Sequence, residues 1–105
     1  MKEKFKIKGK VWVWPGVGGW HFVYVDKELT ERIKKEGKEY KYGSGFIGIR
    51  AKMGKSEWDT ALFPHTKENT YLISIKAKIR NKEQIFEGDQ ISISFTFRKY
   101  SGSSS

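Results

Sequence analysis

The sequence predicts a mainly β protein, a small barrel or sandwich of six to seven strands with two short helices. Three observations predict it. Apolar and polar side chains alternate at period two across 3–14 and again across 90–98, the mark of strands with one face in a core. Runs rich in aromatic and β-branched residues are cut at short intervals by Gly, Pro, Asp and Asn, as turns between strands require. Only two short stretches, 27–36 and 77–83, suit helices instead.

In the first strand Phe5, Ile7, Gly9, Val11 and Val13 share one face, and Lys4, Lys6, Lys8, Lys10, Trp12 and Trp14 share the other. A bulge at Gly9 would reverse that phase and put both tryptophans inside. The loop Pro15-Gly16-Val17-Gly18-Gly19 follows, and Trp20–Val25 is the second strand, giving an antiparallel hairpin with a five-residue connection. Asp26 is placed to cap a helix over Lys27–Glu36, with Leu29 and Ile33 inward and Gly37 ending it. Residues 38–45 read as a mobile connection with Ser44 as a loop serine, and Phe46–Met53 as a strand. Gly54-Lys55 turns the chain into a strand over Glu57–Phe63, which Pro64 stops.

Thr70–Ile75 is the next strand, Ala77–Glu83 forms one or two helical turns, and Gly88-Asp89 turns into Gln90–Arg98. There Ile91, Ile93, Phe95 and Phe97 face inward. Phe22–Ile33 and Leu72–Ile85 echo each other as strand, polar cap and short helix, Val25 matching Ile75 and Leu29 matching Ile79. That repeat predicts a pseudo-twofold barrel built by one chain, hence a monomer. Residues 1–100 make one domain, and the tail 101–105, with nothing to bury, is expected to be disordered.

Lys and Arg number 21 against 12 Asp and Glu, a formal charge of +9. Such a charge draws polyanions and speeds encounters with nucleic acid. Lysines also keep a small, aromatic-rich protein soluble. The absence of Cys excludes disulfides, thiolate metal sites and cysteine nucleophiles, and fits a reducing compartment. No apolar run approaches the ~20 residues of a membrane helix. Met1 leads into lysines rather than a signal-peptide core. The expectation is a soluble, cytoplasmic chain without membrane contact.

Catalysis finds little support in the residues. His21 and His65 have no metal-ligand spacing, Ser44 lacks the surroundings of a nucleophile elbow, and Glu57 and Asp59 alternate on one strand face as a solvated pair. No catalytic residue, metal or cofactor is assigned. Two binding readings remain. In the first, a non-enzymatic module takes a small or anionic ligand at the glycine loop, through Trp14, Gly16, Gly18, Gly19, Trp20 and basic residues including Arg80. The glycines leave backbone N–H groups open to an anion, although His21 stands where a dinucleotide fingerprint has its third glycine. In the second, Lys4, Lys6, Lys8 and Lys10 track the phosphates of a nucleic acid while Trp12 and Trp14 stack its bases. Lysines on a terminal strand also discourage aggregation without binding anything.

The runs WPGVGGWHFVYV, GFIGIRAKMGKSEWDTALFP, TYLISIKAKIRN and FEGDQISISF resemble, over residues 5 to 97, a widespread bacterial and archaeal family of domains of unknown function. Its members sometimes occur fused to bacteriocin-protection (YdeI/OmpD-associated) domains. Asp26 and Ser74 stand where such proteins often carry proline, and Ala61 where serine is frequent. The family is similar in fold to the double-split β-barrels of AbrB/MazE-type proteins, which the pattern Ile75, Ile79, Arg80, Ile85, Gly88, Asp89, Ile91, Ile93 also fits. Glu83 and Gln84 replace the Leu and Gly usual there. In AbrB-type proteins two chains complete one barrel and bind DNA, whereas this chain holds both halves, so DNA binding does not carry over. The resemblance implies that Arg80 braces a turn or binds an anion, and that Trp58 and Phe63 line a core or pocket.

Overall fold

The computed structural model describes residues 4–16, 18–43 and 45–99. Val17, Ser44 and the tail 101–105 lie outside the described residues. The alternating segments become β1 (Phe5–Lys10), β2 (Trp12–Val13), β3 (His21–Tyr24), β4 (Lys41–Tyr42), β5 (Phe46–Met53), β6 (Ser56–His65), β7 (Thr70–Ser74) and β8 (Gln90–Phe97). Two helices, α1 (Lys27–Glu36) and α2 (Ala77–Glu83), follow β3 and β7.

The strands pair in the order β1-β8-β5-β6-β7-β3-β2, with β4 beside β5. The two ends of that path, β1 and β2, are successive parts of one run of chain interrupted at Val11, so the sheet curls into a nearly closed barrel. At the break, Val11 N–H donates to Asp89 O at 2.9 Å and Gly88 N–H donates to Val11 O at 2.8 Å. The run therefore passes from β8 to β3 without stranding a backbone polar group. Gly9 lets it pass, because a Cβ there would stand 2.6 Å from Val23 Cγ1. No phase reversal occurs at Gly9: Phe5, Ile7 and Val11 are buried, and Lys6, Lys8 and Lys10 stay outside.

The inward faces fill the barrel. Phe5 stacks on Phe95 at 5.3 Å and tilts against Phe97 at 5.1 Å, and Ile49, Leu62, Ile73 and Ile93 complete a dense apolar centre. Each such side chain contributes about 1.5–3 kcal/mol by leaving water. Asp26 caps α1 as expected, its carboxylate accepting from Leu29 N–H at 2.8 Å. The buried face of α1 carries Thr30 and Ile33, while Leu29 is only half-buried. Thr30 belongs there because its hydroxyl donates to Asp26 O and meets the Thr70 hydroxyl at 3.1 Å.

Two expectations about chain breaks are corrected. The connection 38–45 is ordered over 38–42: a 3₁₀ turn at Lys38–Tyr40 leads into β4, and Tyr40 stacks on Phe97 at 5.1 Å. Pro64 does not stop its strand; it pairs with Tyr71 inside β6. The β5 ladder reaches only Leu62, so the missing proline N–H deprives β5 of nothing.

The internal echo is a real local symmetry, offset by 50 residues. Val25 N–H donates to Tyr71 O at 2.9 Å, and its counterpart Ile75 N–H donates to His21 O at 3.0 Å. Val23 pairs with its own counterpart Ile73, and Thr30 N–H to Asp26 O is matched by Arg80 N–H to Lys76 O. No helix among the described residues is long and apolar enough to cross a membrane.

Candidate functional site

The even positions of the second strand, Trp20, Phe22 and Tyr24, point out of the barrel, as do Trp12 and Trp14 on the neighbouring run. Pairing of Trp12 with Phe22, and a Trp14 N–H to Trp20 O bond of 2.8 Å, bring the two rows together. Trp12 lies stacked on Tyr24 at 5.1 Å and against Trp14 at 5.8 Å. It is half-buried, and its indole N–H is buried with no hydrogen-bond partner among the described residues. Trp12 is thus the floor of an outer aromatic cluster. Trp14 and Trp20 are its open faces, 42% and 53% exposed.

Between those faces lies a hollow of about 290 Å³, bounded by Trp14, Trp20 and Phe22 on one side and by Phe63, Pro64, His65 and Leu72 on the other. Trp20 stacks on Phe22 at 6.2 Å with the rings 10° apart, and Trp14 meets His65 edge-on at 6.3 Å. Gly16, Gly18 and Gly19 all take positive φ. Gly18 also needs its bare Cα, since a Cβ would come within 3.0 Å of the Trp20 ring. The glycine loop is therefore shaped to lie against an indole.

Arg80 stands apart from this hollow. Its Nε donates to Ile75 O at 3.2 Å, and Nη1 lies 3.5 Å from His21 Nε2. His21 Nδ1 is 2.7 Å from Gly19 O, and because a carbonyl only accepts, Nδ1 carries the proton and Nε2 faces the guanidinium as acceptor. Arg80 and His21 so brace the base of the glycine loop.

The row Lys4, Lys6, Lys8 and Lys10 is exposed on the outer side of the barrel. It borders a groove of about 760 Å³, whose lining includes Lys4, Lys6, Lys8, Lys52, Ser92, Ser94 and Asp26. Lys52 reaches it from β5, beside Ser94 of β8, a juxtaposition that local sequence does not reveal. Glu57 and Asp59 do share a strand face, but arginines hold them: Arg50 lies 3.5 Å from Glu57 and 3.0 Å from Asp59, and Arg98 lies 3.5 Å from Asp59. The Asp59 hydrogen bond pushes the Arg50 guanidinium pKa upward.

Of the predicted ligand residues, Trp14 and Trp20 line the hollow, Gly16 lies beside Trp14 and Gly18 beside Trp20, and Arg80 lies outside it; Phe22, Pro64, His65 and Leu72 were not among the predicted ligand residues. The alternating aromatics of Trp20-His21-Phe22-Val23-Tyr24 were a usable signal for Phe22. Pro64, His65 and Leu72 arrive through the distant β6–β7 ladder, where His65 pairs with Thr70. Trp58 belongs to the core and Phe63 to the hollow. The family model described as a domain of unknown function (DUF1905) matches residues 8–95. No curated protein matches the chain.

Proposed function

The chain belongs to the DUF1905 family of domains of unknown function, and we propose that it acts as a monomeric, cytoplasmic, non-enzymatic binding module whose ligand site is the outer aromatic hollow. One observation carries the reading: the barrel interior is filled, yet two indoles stay open around a hollow on the outside. Exposed apolar surface of this kind costs solubility, and it is retained where something binds. The lining is aromatic with one titratable side chain, His65, so it suits a flat ring that stacks on Trp14 or Trp20. Arg80 does not line the hollow; it positions the loop from behind through His21.

Adenosine, uncharged and with a planar base, is a suitable probe. Titrated at millimolar concentration, it should quench tryptophan emission saturably and independently of salt, and the response should vanish in a Trp14→Ala/Trp20→Ala variant. An unchanged emission, or quenching that survives in that variant, removes the hollow as the site.

A further inference from the structure

We infer that the partner of this surface is a single-stranded nucleic acid, its phosphates held along the lysine row and groove and its bases stacked on Trp14 and Trp20. The inference rests on the hollow being a binding site and adds the class of ligand. Its first support is unspent charge. None of Lys4, Lys6, Lys8, Lys10 and Lys52 makes an ion pair with a described residue. On β8 their cross-strand neighbours are uncharged: Lys6 and Lys52 flank Ser94, Lys8 faces Ser92, and Lys10 faces Gln90. On its other side Lys52 stands opposite Glu57, whose carboxylate is held by Arg50 at 3.5 Å. Asp26, the one carboxylate among the described residues lining the groove, already accepts from Leu29 N–H as the cap of α1. Like charges repeated along one strand repel one another, and an anion laid along them offsets that repulsion.

Geometry narrows the anion. Alternate side chains on a strand repeat every ~6.8 Å, similar to the phosphate repeat of an extended single strand. Through Trp12 the row runs on to Trp14, and from there to the hollow. Base faces are buried in a duplex, and polyphosphate or a lipid surface has no ring to place on the open indoles. An unpaired strand uses both halves of the surface along its whole length.

The test is anisotropy of a fluorescein-labelled oligo(dT) 12-mer with the whole chain. If four phosphates are neutralised, raising salt from 50 to 200 mM weakens binding about 50-fold, from a log–log slope of roughly −0.7 per phosphate. Lys6→Ala/Lys8→Ala/Lys52→Ala should reduce that salt effect to about threefold. Trp14→Ala/Trp20→Ala, which removes two stacks, should weaken binding about 30-fold or more at fixed salt while keeping the salt slope. All five substitutions are at exposed side chains, and circular dichroism checks that the variants fold. No anisotropy change at 50 mM salt overturns the inference. So does equal competition by inorganic polyphosphate or phosphatidylserine vesicles combined with indifference to the tryptophan changes, which marks a plain anionic surface. In either case adenosine quenching tells whether the hollow itself survives as a site.

Discussion

Trp58 and Trp20 belong to one wall of one barrel and live in opposite surroundings. Trp58 is in the core, with its indole N–H 3.4 Å from Ser74 O as donor. Trp20 stacks one face on Phe22 and leaves the rest in water. The same contrast runs along the whole first strand, where Phe5, Ile7 and Val11 are sealed inside while the lysines and Trp14 stand outside. The difference teaches how the two faces divide their labour. Inward aromatics hold the fold together, while the outward Trp14 and Trp20 keep about half of their surface in water.

The largest expected effect tests the inner half of that division. Phe95→Ala empties the stack of Phe5, Phe95 and Phe97, and should cost about 3–5 kcal/mol in urea unfolding. That is a large share of the ~5–15 kcal/mol a domain has. The outer counterpart is Trp20→Ala, which forfeits one stacked pair and should cost about 1 kcal/mol or less while abolishing most of the adenosine response. Similar losses from the two substitutions would break the comparison.

The smallest effect sharpens it. Burial raises the Tyr71 phenol above its ordinary value of 10.0, with Glu31 adding to the rise. The folded state thus keeps the Tyr71 proton longer than the unfolded chain. Its contribution is intact below pH 10 and is lost as pH climbs through the folded value. Tyr71→Phe, with no proton to lose, should flatten the alkaline decline in thermal midpoint. An identical decline in both proteins would mean that Tyr71 is solvated.

Most of the fold was legible because period two is a local signal. The boundaries of α1 and β5 follow from a cap, a glycine or a phase that neighbouring residues define, whereas α2 has no side-chain cap and ends at Gln84 in the left-handed region. Pro64 misled because proline usually ends a ladder, and only the length of the β5 pairing shows that its missing N–H is harmless. The site was half legible. Trp14, Trp20 and the glycine loop are contiguous in sequence, whereas His65, Leu72 and Lys52 reach their places through pairings between distant strands. Arg80 stood out in sequence yet turns inward to Ile75 and His21, a destination that only the symmetric pairing of β3 with β7 dictates.

The indole N–H resonances of the four tryptophans test the central claim in one spectrum. On addition of the oligo(dT) 12-mer, the signals of Trp14 and Trp20 should shift and that of Trp58 should stay in place. A shift at Trp58 with the outer pair unmoved, or no shift at any indole, would contradict the account.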